Sequence, residues 1–330
     1  MVALEPQQRV PRRRDSAGIA NRQHLTMIES RQPEKTVSAQ TSSSPAAIIR
    51  LLRPRQWTKN AIVFAALVFD HRLLDGRLLA LSLGAFVAFC LASSATYVIN
   101  DLRDVESDRL HPVKRRRPIA SGAVSPSAAR LIAAVLLAIA LPLAFLIAPK
   151  FGLVLGGYVV LMLAYSFVLK QLVIVDAFTI AGGFVLRAAG GALAISVPIS
   201  PWLYVCTVLL ALFIAFGKRR HELLLLEENA GSHRRNLDEY SAELLDHFIM
   251  ITAAATVMAY SLYTFAAESL PEDHSMMLTI PFVLYGLFRY LFLVHRRDGG
   301  GSPEHMLLTD RPLLACLVGW GLAAILILYR

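Results

Sequence analysis

Residues 78–99 read LLALSLGAFVAFCLASSATYVI and contain no charged side chain. Directly after them comes NDLRDVESDRLHPVKRRRPIASG, residues 100–122, which is crowded with acids and bases. A bilayer core about 30 Å thick requires roughly 20 apolar residues in a helix. The apolar run therefore predicts a membrane span, and the charged segment behind it predicts a loop at the membrane surface.

Long apolar runs of this kind recur through the whole chain. The 330 residues are 55% hydrophobic and their mean hydropathy is +0.52. We predict nine spans, at 58–71, 78–99, 127–148, 151–169, 173–194, 201–217, 244–267, 275–294 and 312–329. The first is short, so we expect it to be tilted or partly covered by its neighbours. The predicted fold class is all-α integral membrane, a multi-pass helical bundle.

The charges in the loops predict the orientation of the bundle. Most of the loop cations lie before residue 58 and in 100–126, 218–243 and 295–311, on one side of the predicted bundle. Cytoplasmic loops are rich in Lys and Arg, so the N-terminus is predicted in the cytoplasm and the C-terminus outside. The net charge of +9 has the same explanation, and no nucleic-acid partner is predicted.

Residues 1–45 differ from the rest in being rich in Ser, Gln, Pro and Arg. We predict a disordered, basic cytoplasmic tail there and a transmembrane catalytic domain over 46–330. The three cysteines, Cys90, Cys206 and Cys316, lie inside apolar runs without metal-ligand spacing. They are interpreted as packing residues.

The chemistry is predicted to lie first in the segment after the second span. Asp101, Asp104 and Asp108 fall at i, i+3 and i+7, with Asn100 one turn before Asp104, so a helix would carry all four on one face. Oxygen ligands of this kind suit Mg²⁺, which commonly shares its shell with a substrate phosphate. The cations that could face such phosphates are Arg109, Lys114, Arg115 and Arg117. The alternative is a salt-bridged loop that only fixes orientation.

A second cluster follows the sixth span, in GKRRHELLLLEEN, residues 217–229. Lys218, Arg219 and Glu222 lie within one helical turn at the predicted cytoplasmic end of that span. The alternative here is an ordinary basic stop with an intrahelical ion pair.

The fifth span contains two ionisable residues, Asp176 near its cytoplasmic end and Arg187 eleven residues later. A charge at the depth of Arg187 is costly and almost always faces a polar cavity or a partner. We predict a functional role for it; the alternative is a structural Arg–Asp pair between helices.

The remaining candidates are single residues near the same membrane surface. Lys59 lies in RPRQWTKN, residues 53–60, which also reads as an interfacial anchor. Tyr165, Lys170 and Arg289 lie at the same predicted ends of their spans. Asp310 opens the ninth span, where it fits an N-cap.

These features together resemble the UbiA superfamily of membrane prenyltransferases, over residues 48–330 or so. The resemblance rests on nine spans with an NDxxDxxxD pattern at 100–108. It implies a UbiA-like bundle around a central cavity open to the cytoplasm and to lipid, where Asp-rich segments hold Mg²⁺ and a substrate diphosphate.

One departure narrows the resemblance. The aromatic prenyltransferases of the superfamily carry a second motif, DxxYAxxD, after the sixth span, whereas this chain has Gly217–Glu222 there, with no second aspartate pair. Together with RPRQWTKN, KRRRPIA and Arg187, this resembles the subfamily of decaprenyl-phosphate phosphoribosyltransferases. It implies transfer of phosphoribose from phosphoribosyl diphosphate to a polyprenyl phosphate, releasing diphosphate, for cell-wall arabinan precursors in the bacterial plasma membrane.

The resemblance also implies roles for the candidate residues. Asp101, Asp104 and Arg187 are the catalytic candidates, and Asp101, Asp104 and Asp108 the Mg²⁺ ligands. The substrate-binding candidates are Asn100, Lys59, Arg109, Lys114, Arg117, Tyr165, Lys170, Asp176, Lys218, Arg219, Glu222 and Arg289.

Two rival functions remain, a prenyl transferase with an aromatic acceptor and a lipid-phosphate transporter. The sequence leaves a homo-oligomer open.

Overall fold

The computed structural model describes residues 44–228, 239–267, 270–296 and 303–330, and the regular structure in these ranges is helical throughout. The α-helices are α1 Pro45–Leu52, α2 Ala65–Phe69, α3 Gly76–Arg103, α4 Val105–Leu110, α5 Pro126–Ile147, α6 Pro149–Phe167, α7 Val175–Ala194, α8 Pro201–Glu228, α9 Ala242–Ala266, α10 Ile280–Arg296, α11 Pro303–Thr309 and α12 Arg311–Leu328. The predicted tail lies outside the described residues, apart from Ser44 and Pro45, which cap and begin α1.

Side-chain caps begin several of these helices. Asp75, Ser125, Ser241 and Asp310 each precede a helix and accept a hydrogen bond from a backbone N–H of its first turn. Such caps satisfy donors that have no partner inside the helix. The predicted N-cap at Asp310 is thereby confirmed.

The predicted fold class is confirmed. Within the described residues, eight helices are long and apolar enough to cross a bilayer, and they match the second to ninth predicted spans. One boundary was wrong: α8 does not end at 217 but continues to Glu228, through the basic cluster. The reason is local, since the Leu- and Glu-rich residues that follow are strong helix formers.

The first predicted span, 58–71, is wrong as an α-helix. A 3₁₀ helix over Pro54–Phe64 leads into the five residues of α2. A 3₁₀ helix rises about 2 Å per residue and an α-helix about 1.5 Å, so these 16 residues extend roughly 30 Å. The first half of this stretch carries Arg55, Gln56, Lys59 and Asn60, so its apolar part, from Ala61 to Phe69, covers about half of that length.

This segment, which we call the first crossing (Pro54–Phe69), runs antiparallel to α3 along its length. The contacts are Arg53 with Asp101, Trp57 with Ser94, Asn60 with Cys90 and Ser93, and Phe64 with Phe86. It also packs closely on α7, because a Cβ added to Gly191 would lie 2.1 Å from the Val63 carbonyl oxygen. Glycine at this position therefore permits the approach.

The long helices pack in chain order, α5 on α6, α6 on α7, α7 on α8 and α8 on α9, with α3 beside α5 and α10 beside α12. Many large apolar side chains point outwards; Leu146 is 84% exposed and Leu326 70%. Such a surface suits a lipid environment and would be a liability in water. The site candidates lie at the end of the bundle where α3 finishes, which we call the aspartate end.

Candidate functional site

Asp101 is the most heavily paired acid at the aspartate end. It is 2% exposed and lies on the last turn of α3. Arg53 donates to both of its oxygens, with Nη2 at 2.6 Å from Oδ1 and 2.7 Å from Oδ2. Arg117 Nη1 donates to Oδ1 at 3.0 Å and also to Asp108 Oδ2 at 2.7 Å. Asp101 and Asp108 therefore share one guanidinium.

Asp104 faces a different cation. Lys170 Nζ lies 2.6 Å from Oδ1 and 2.8 Å from Oδ2 of Asp104, and 3.4 Å from the Asn100 side-chain oxygen. Asn100 Nδ2 also donates to Asp104 Oδ2 at 3.1 Å. Lys170 comes from the 3₁₀ turn Leu169–Gln171 after α6, so this contact ties α6 to the end of α3.

The predicted single helical face of acids is confirmed only in part. Helix α3 ends at Arg103, Asp104 has φ −91° and ψ 7°, and α4 starts anew at Val105. Helical hydrogen bonds nevertheless cross this turn, from the Asp104 N–H to the Asn100 carbonyl at 3.0 Å and from the Asp108 N–H to the Asp104 carbonyl at 2.8 Å. Asn100 therefore reaches Asp104 as predicted, but Asp101 and Asp108 pair with Arg117 whereas Asp104 pairs with Lys170.

The atoms that could bind a metal at this end are carboxylate and amide oxygens, which hard divalent ions prefer as ligands. Burial raises the pKa of the Asp108 carboxyl, while Arg117 opposes that effect, so this acid depends on a neighbouring cation for its charge. Among the described residues, no three acidic, histidine or cysteine side chains lie close enough to hold a metal ion together. Arg53, Arg117 and Lys170 instead neutralise the carboxylates.

Arg219 is buried at the centre of a second network. It is 1% exposed, and its Nε donates to Asp176 Oδ2 at 2.5 Å. Its Nη1 donates to Glu222, and its Nη2 to the Tyr165 hydroxyl at 3.3 Å. Four predicted site residues from α6, α7 and α8 therefore come together. The structural Arg–Asp pair foreseen for the fifth span exists, but Asp176 forms it with Arg219 and not with Arg187.

Lys218 differs from its neighbour in exposure. Its side chain is 38% exposed, and its Nζ lies 4.0 Å from Glu222 Oε1. Lys218 is therefore partly open to solvent, whereas Arg219 is enclosed.

Arg187 lies deeper in the bundle and is 4% exposed. Its Nε donates to Asn60 Oδ1 at 2.6 Å, its Nη1 to the Gly183 carbonyl at 2.8 Å and its Nη2 to the Tyr158 hydroxyl at 2.8 Å. The guanidinium carbon also lies 4.6 Å from the centroid of the Tyr158 ring. Within the described part of the chain, no carboxylate pairs with this cation.

The other predicted residues are spread around the same end. Arg289 of α10 pairs with Asp310, at 3.0 Å and 2.8 Å. Arg109 forms an exposed pair with Glu106 at 2.9 Å. Lys59 lies in the first crossing, and Lys114 in the 3₁₀ turn before Arg117.

Sequence reasoning missed three polar contacts. Arg53 was interpreted only as part of an anchor, although it holds Asp101. Asn60 was passed over, yet it is 0% exposed and binds Arg187. Tyr240 was not singled out, and its hydroxyl contacts Asp176. An asparagine inside an apolar segment was the one signal that could have been followed, because buried amides require partners.

Comparison with known proteins gives consistent results over most of the chain. A sequence profile described as the UbiA prenyltransferase family matches residues 61–309. A decaprenyl-phosphate phosphoribosyltransferase from Corynebacterium glutamicum is 34% identical over 322 residues, covering 93% of this chain and 92% of that protein. A protein of the same name from Mycobacterium tuberculosis is 35% identical over 293 residues, covering 87% of this chain and 96% of its own length.

Among solved structures, a UbiA homologue from Archaeoglobus fulgidus bound to GPP and Mg²⁺ superposes with a TM-score of 0.65. It shares 21% sequence identity, and the match covers 85% of this chain and 100% of the homologue. At this identity the comparison establishes the fold.

Proposed function

The chain belongs to the UbiA prenyltransferase family, and from that premise we propose that it transfers phosphoribose from 5-phosphoribosyl 1-diphosphate to a polyprenyl phosphate. The proposal is supported by full-length relatives named decaprenyl-phosphate phosphoribosyltransferase at 34% and 35% identity. The product would be a polyprenyl-phosphate carrying ribose 5-phosphate, a precursor of cell-wall arabinan.

The observation that carries the proposal is the pair of cations within α8, well before the end of that helix at Glu228. Where aromatic prenyltransferases of the family place a second aspartate motif, this chain places Lys218 and Arg219. Arg219 forms ion pairs with Asp176 and Glu222, so these two acids are not available to bind a metal beside α8. A phosphoribosyl donor has a 5-phosphate besides its diphosphate, and the acceptor is also a phosphate. A site for these four phosphate groups needs more cations than a site for one prenyl diphosphate.

The chemistry needs positioning and charge stabilisation more than acid–base catalysis. The bond from C1 to the diphosphate oxygen breaks, and its electron pair leaves with the diphosphate. A lone pair on the acceptor phosphate oxygen forms the new bond to C1. That oxygen is already anionic, so no general base is required. The cations that now neutralise the carboxylates are Arg53, Arg117 and Lys170. When substrate binds, they could exchange these carboxylates for phosphate oxygens of the substrate.

Mg²⁺ is the proposed cofactor, with Asp101, Asp104 and Asp108 as its candidate ligands. Among the described residues these three do not converge on one point, so binding the ion would require Arg117 and Lys170 to release them. Carboxylate oxygens are suitable ligands for this ion, and the diphosphate of the phosphoribosyl substrate would supply further oxygen ligands. When bound, the ion would stabilise negative charge on the leaving diphosphate.

Arg187 is proposed to contact a substrate phosphate. A buried guanidinium without a carboxylate partner among the described residues favours an anion at its remaining N–H groups. Lys218 and Arg289 are candidates for binding the remaining phosphates. Asn100 is a candidate for donor binding because its side-chain oxygen contacts Lys170.

A transporter would open its site alternately to the two ends of the bundle. In the structure, several contacts join the elements at the end opposite the aspartates. The Tyr329 hydroxyl donates to the Val68 carbonyl at 3.1 Å and accepts from the Leu73 N–H at 2.9 Å. His71 Nδ1 donates to the Leu328 carbonyl at 2.8 Å. The last helix is thereby bound to the first crossing and the residues just after it at this end, and a transporter would have to break these contacts in its other state.

The proposed setting is the bacterial plasma membrane, with the aspartate end in the cytoplasm, because Lys and Arg concentrate there. The N-terminus would be cytoplasmic and the C-terminus outside. Phosphoribosyl diphosphate would enter from the cytoplasm, and the polyprenyl chain would remain in the lipid.

The test is a donor comparison with the purified protein in detergent or nanodiscs. Phosphoribosyl diphosphate, with and without polyprenyl phosphate, is compared with a prenyl diphosphate plus an aromatic acceptor. We expect diphosphate release that requires both phosphoribosyl diphosphate and the polyprenyl phosphate, and a lipid product that retains ribose label. Turnover of the prenyl diphosphate alone would overturn the proposal in favour of the rival function.

A further inference from the structure

The backbone is strained immediately before α7. Ile174 has φ 67° and ψ −46°, and the Val175 N–H bonds to the Val173 carbonyl at 2.7 Å across it. This is a γ-turn in the left-handed region, which is rare and strained for a β-branched residue. The Ile174 side chain is 39% exposed, so packing of that side chain does not hold the turn.

The hydroxyl of Tyr240 holds this turn. Tyr240 lies two residues before α9 and is 5% exposed. Its oxygen accepts the Ile174 N–H at 2.6 Å, and its O–H donates to Asp176 Oδ1 at 3.4 Å. Burial raises the pKa of the Tyr240 phenol, so the hydroxyl keeps the proton that it donates.

The turn lies between two groups of the proposed site. Four residues before Ile174 is Lys170, which binds Asp104. Two residues after it is Asp176, which binds the buried Arg219. The φ and ψ of Ile174 therefore set the direction in which the segment that carries Lys170 enters α7, and so the position of Lys170 relative to the Asp176 network. Strained backbone persists where surrounding contacts over-determine it, and it concentrates at functional sites.

We propose that Tyr240 is a positioning residue for phosphoribosyl transfer: its hydroxyl locks the Ile174 turn and thereby holds Lys170 against Asp104. This inference rests on the proposed function for its kinetic consequences. Its structural part, the clamp on the turn, stands independently of which donor the protein uses.

The test is a second-site rescue. Tyr240→Phe removes the hydroxyl and keeps the ring, so we expect the strained turn to relax and kcat to fall about five- to tenfold, corresponding to one lost hydrogen bond. Ile174→Gly makes the same backbone conformation free of strain. The double variant should therefore recover most of the lost kcat, and Ile174→Gly alone should stay within about twofold of wild type.

A merely structural Tyr240 predicts a different pattern. Glycine would then only loosen the chain further, and the two losses would add in both melting temperature and kcat. Additive losses overturn the proposal. Tyr263→Phe in α9 is the matched control, because the Tyr263 hydroxyl is buried with no hydrogen-bond partner among the described residues. It should leave kcat unchanged.

Amide hydrogen exchange provides a readout that does not depend on substrate. We expect faster exchange over 172–177 in Tyr240→Phe than in wild type, and a return towards wild type in the double variant. Unchanged exchange in Tyr240→Phe would contradict the clamp. If wild type fails to use phosphoribosyl diphosphate, the proposed function is wrong, while the exchange pattern still decides the role of Tyr240.

Discussion

Arg187 Nε lies 2.6 Å from the side-chain oxygen of Asn60, so the one buried cation of α7 holds the first crossing in place. Asn60 Nδ2 in turn contacts Cys90 Sγ at 3.2 Å and Ser93 Oγ at 3.3 Å on α3. A single amide therefore joins three membrane-spanning elements. The same first crossing begins next to Arg53, which binds Asp101, so its placement affects the proposed site.

Asn60→Leu should destabilise the protein by about 2–4 kcal/mol, because it leaves the Arg187 guanidinium buried with fewer partners. Adding Arg187→Met removes the stranded charge and should restore most of the melting temperature. Since Arg187 is proposed to contact a phosphate, the double variant should remain inactive. Recovery of both stability and turnover would show instead that Arg187 is purely structural.

Asp104→Asn and Asp101→Asn should each lower turnover by about 100-fold or more, because an amide cannot replace a carboxylate as a ligand of a hard cation. Both variants should still insert and purify, since the amide can accept hydrogen bonds from Lys170 or Arg53. Glu106→Gln is the matched control, because Glu106 is 81% exposed and pairs only with Arg109 among the described residues. Turnover within a few-fold of wild type in either aspartate variant would remove the metal assignment.

Eight of the nine predicted spans correspond to long apolar helices among the described residues, because length and apolarity alone define an α-helical span. The first crossing was predicted in place but not in conformation, since a short apolar segment does not reveal 3₁₀ backbone. The pairing at the site was largely missed. Arg53 and Asp101 lie 48 residues apart in the chain, and local spacing cannot show which cation packs against which acid. Helical spacing predicted that Asn100 lies beside Asp104, but it could not show that Arg117 and Lys170 divide the acids between them.

The neighbours Lys218 and Arg219 should respond differently to removal. Lys218→Ala should raise KM for the donor about tenfold with little change in melting temperature, because its exposed ammonium can reach a phosphate. Arg219→Ala should mainly lower melting temperature and yield, because the buried Asp176 carboxylate loses the guanidinium that neutralises it. If Lys218→Ala leaves donor KM unchanged, the cluster is only a topology signal and the argument for phosphoribosyl transfer loses its main support.

The proposed orientation can be measured by cysteine labelling in intact cells. Leu110 at the aspartate end is 88% exposed, and Glu272 lies in an exposed loop at the opposite end. In a background lacking Cys90, Cys206 and Cys316, Leu110→Cys should label only after permeabilisation, and Glu272→Cys without it. Labelling of both from the same side would contradict nine crossings.

The loop that carries Arg117 should weaken in mild acid. His111 Nδ1 accepts the backbone N–H groups of Val113 and Lys114, at 3.2 Å and 3.3 Å, which requires a neutral ring nitrogen. Burial, with Lys114 nearby, lowers the pKa of His111 below its ordinary value. The unfolded chain therefore takes up the proton first as pH falls below about 6.5. The stability contributed by neutral His111 is present above that pH and is lost on acidification.

His111→Asn isolates this effect, because an asparagine side-chain oxygen can accept the same two N–H groups without titrating. The melting temperature of wild type should fall more than that of the variant between about pH 7.5 and 5.5, while the two should agree at the upper end. Turnover should follow, since the turn after His111 leads to Arg117, which binds Asp101 and Asp108. Parallel pH profiles for the two proteins would mean that His111 does not titrate against this turn.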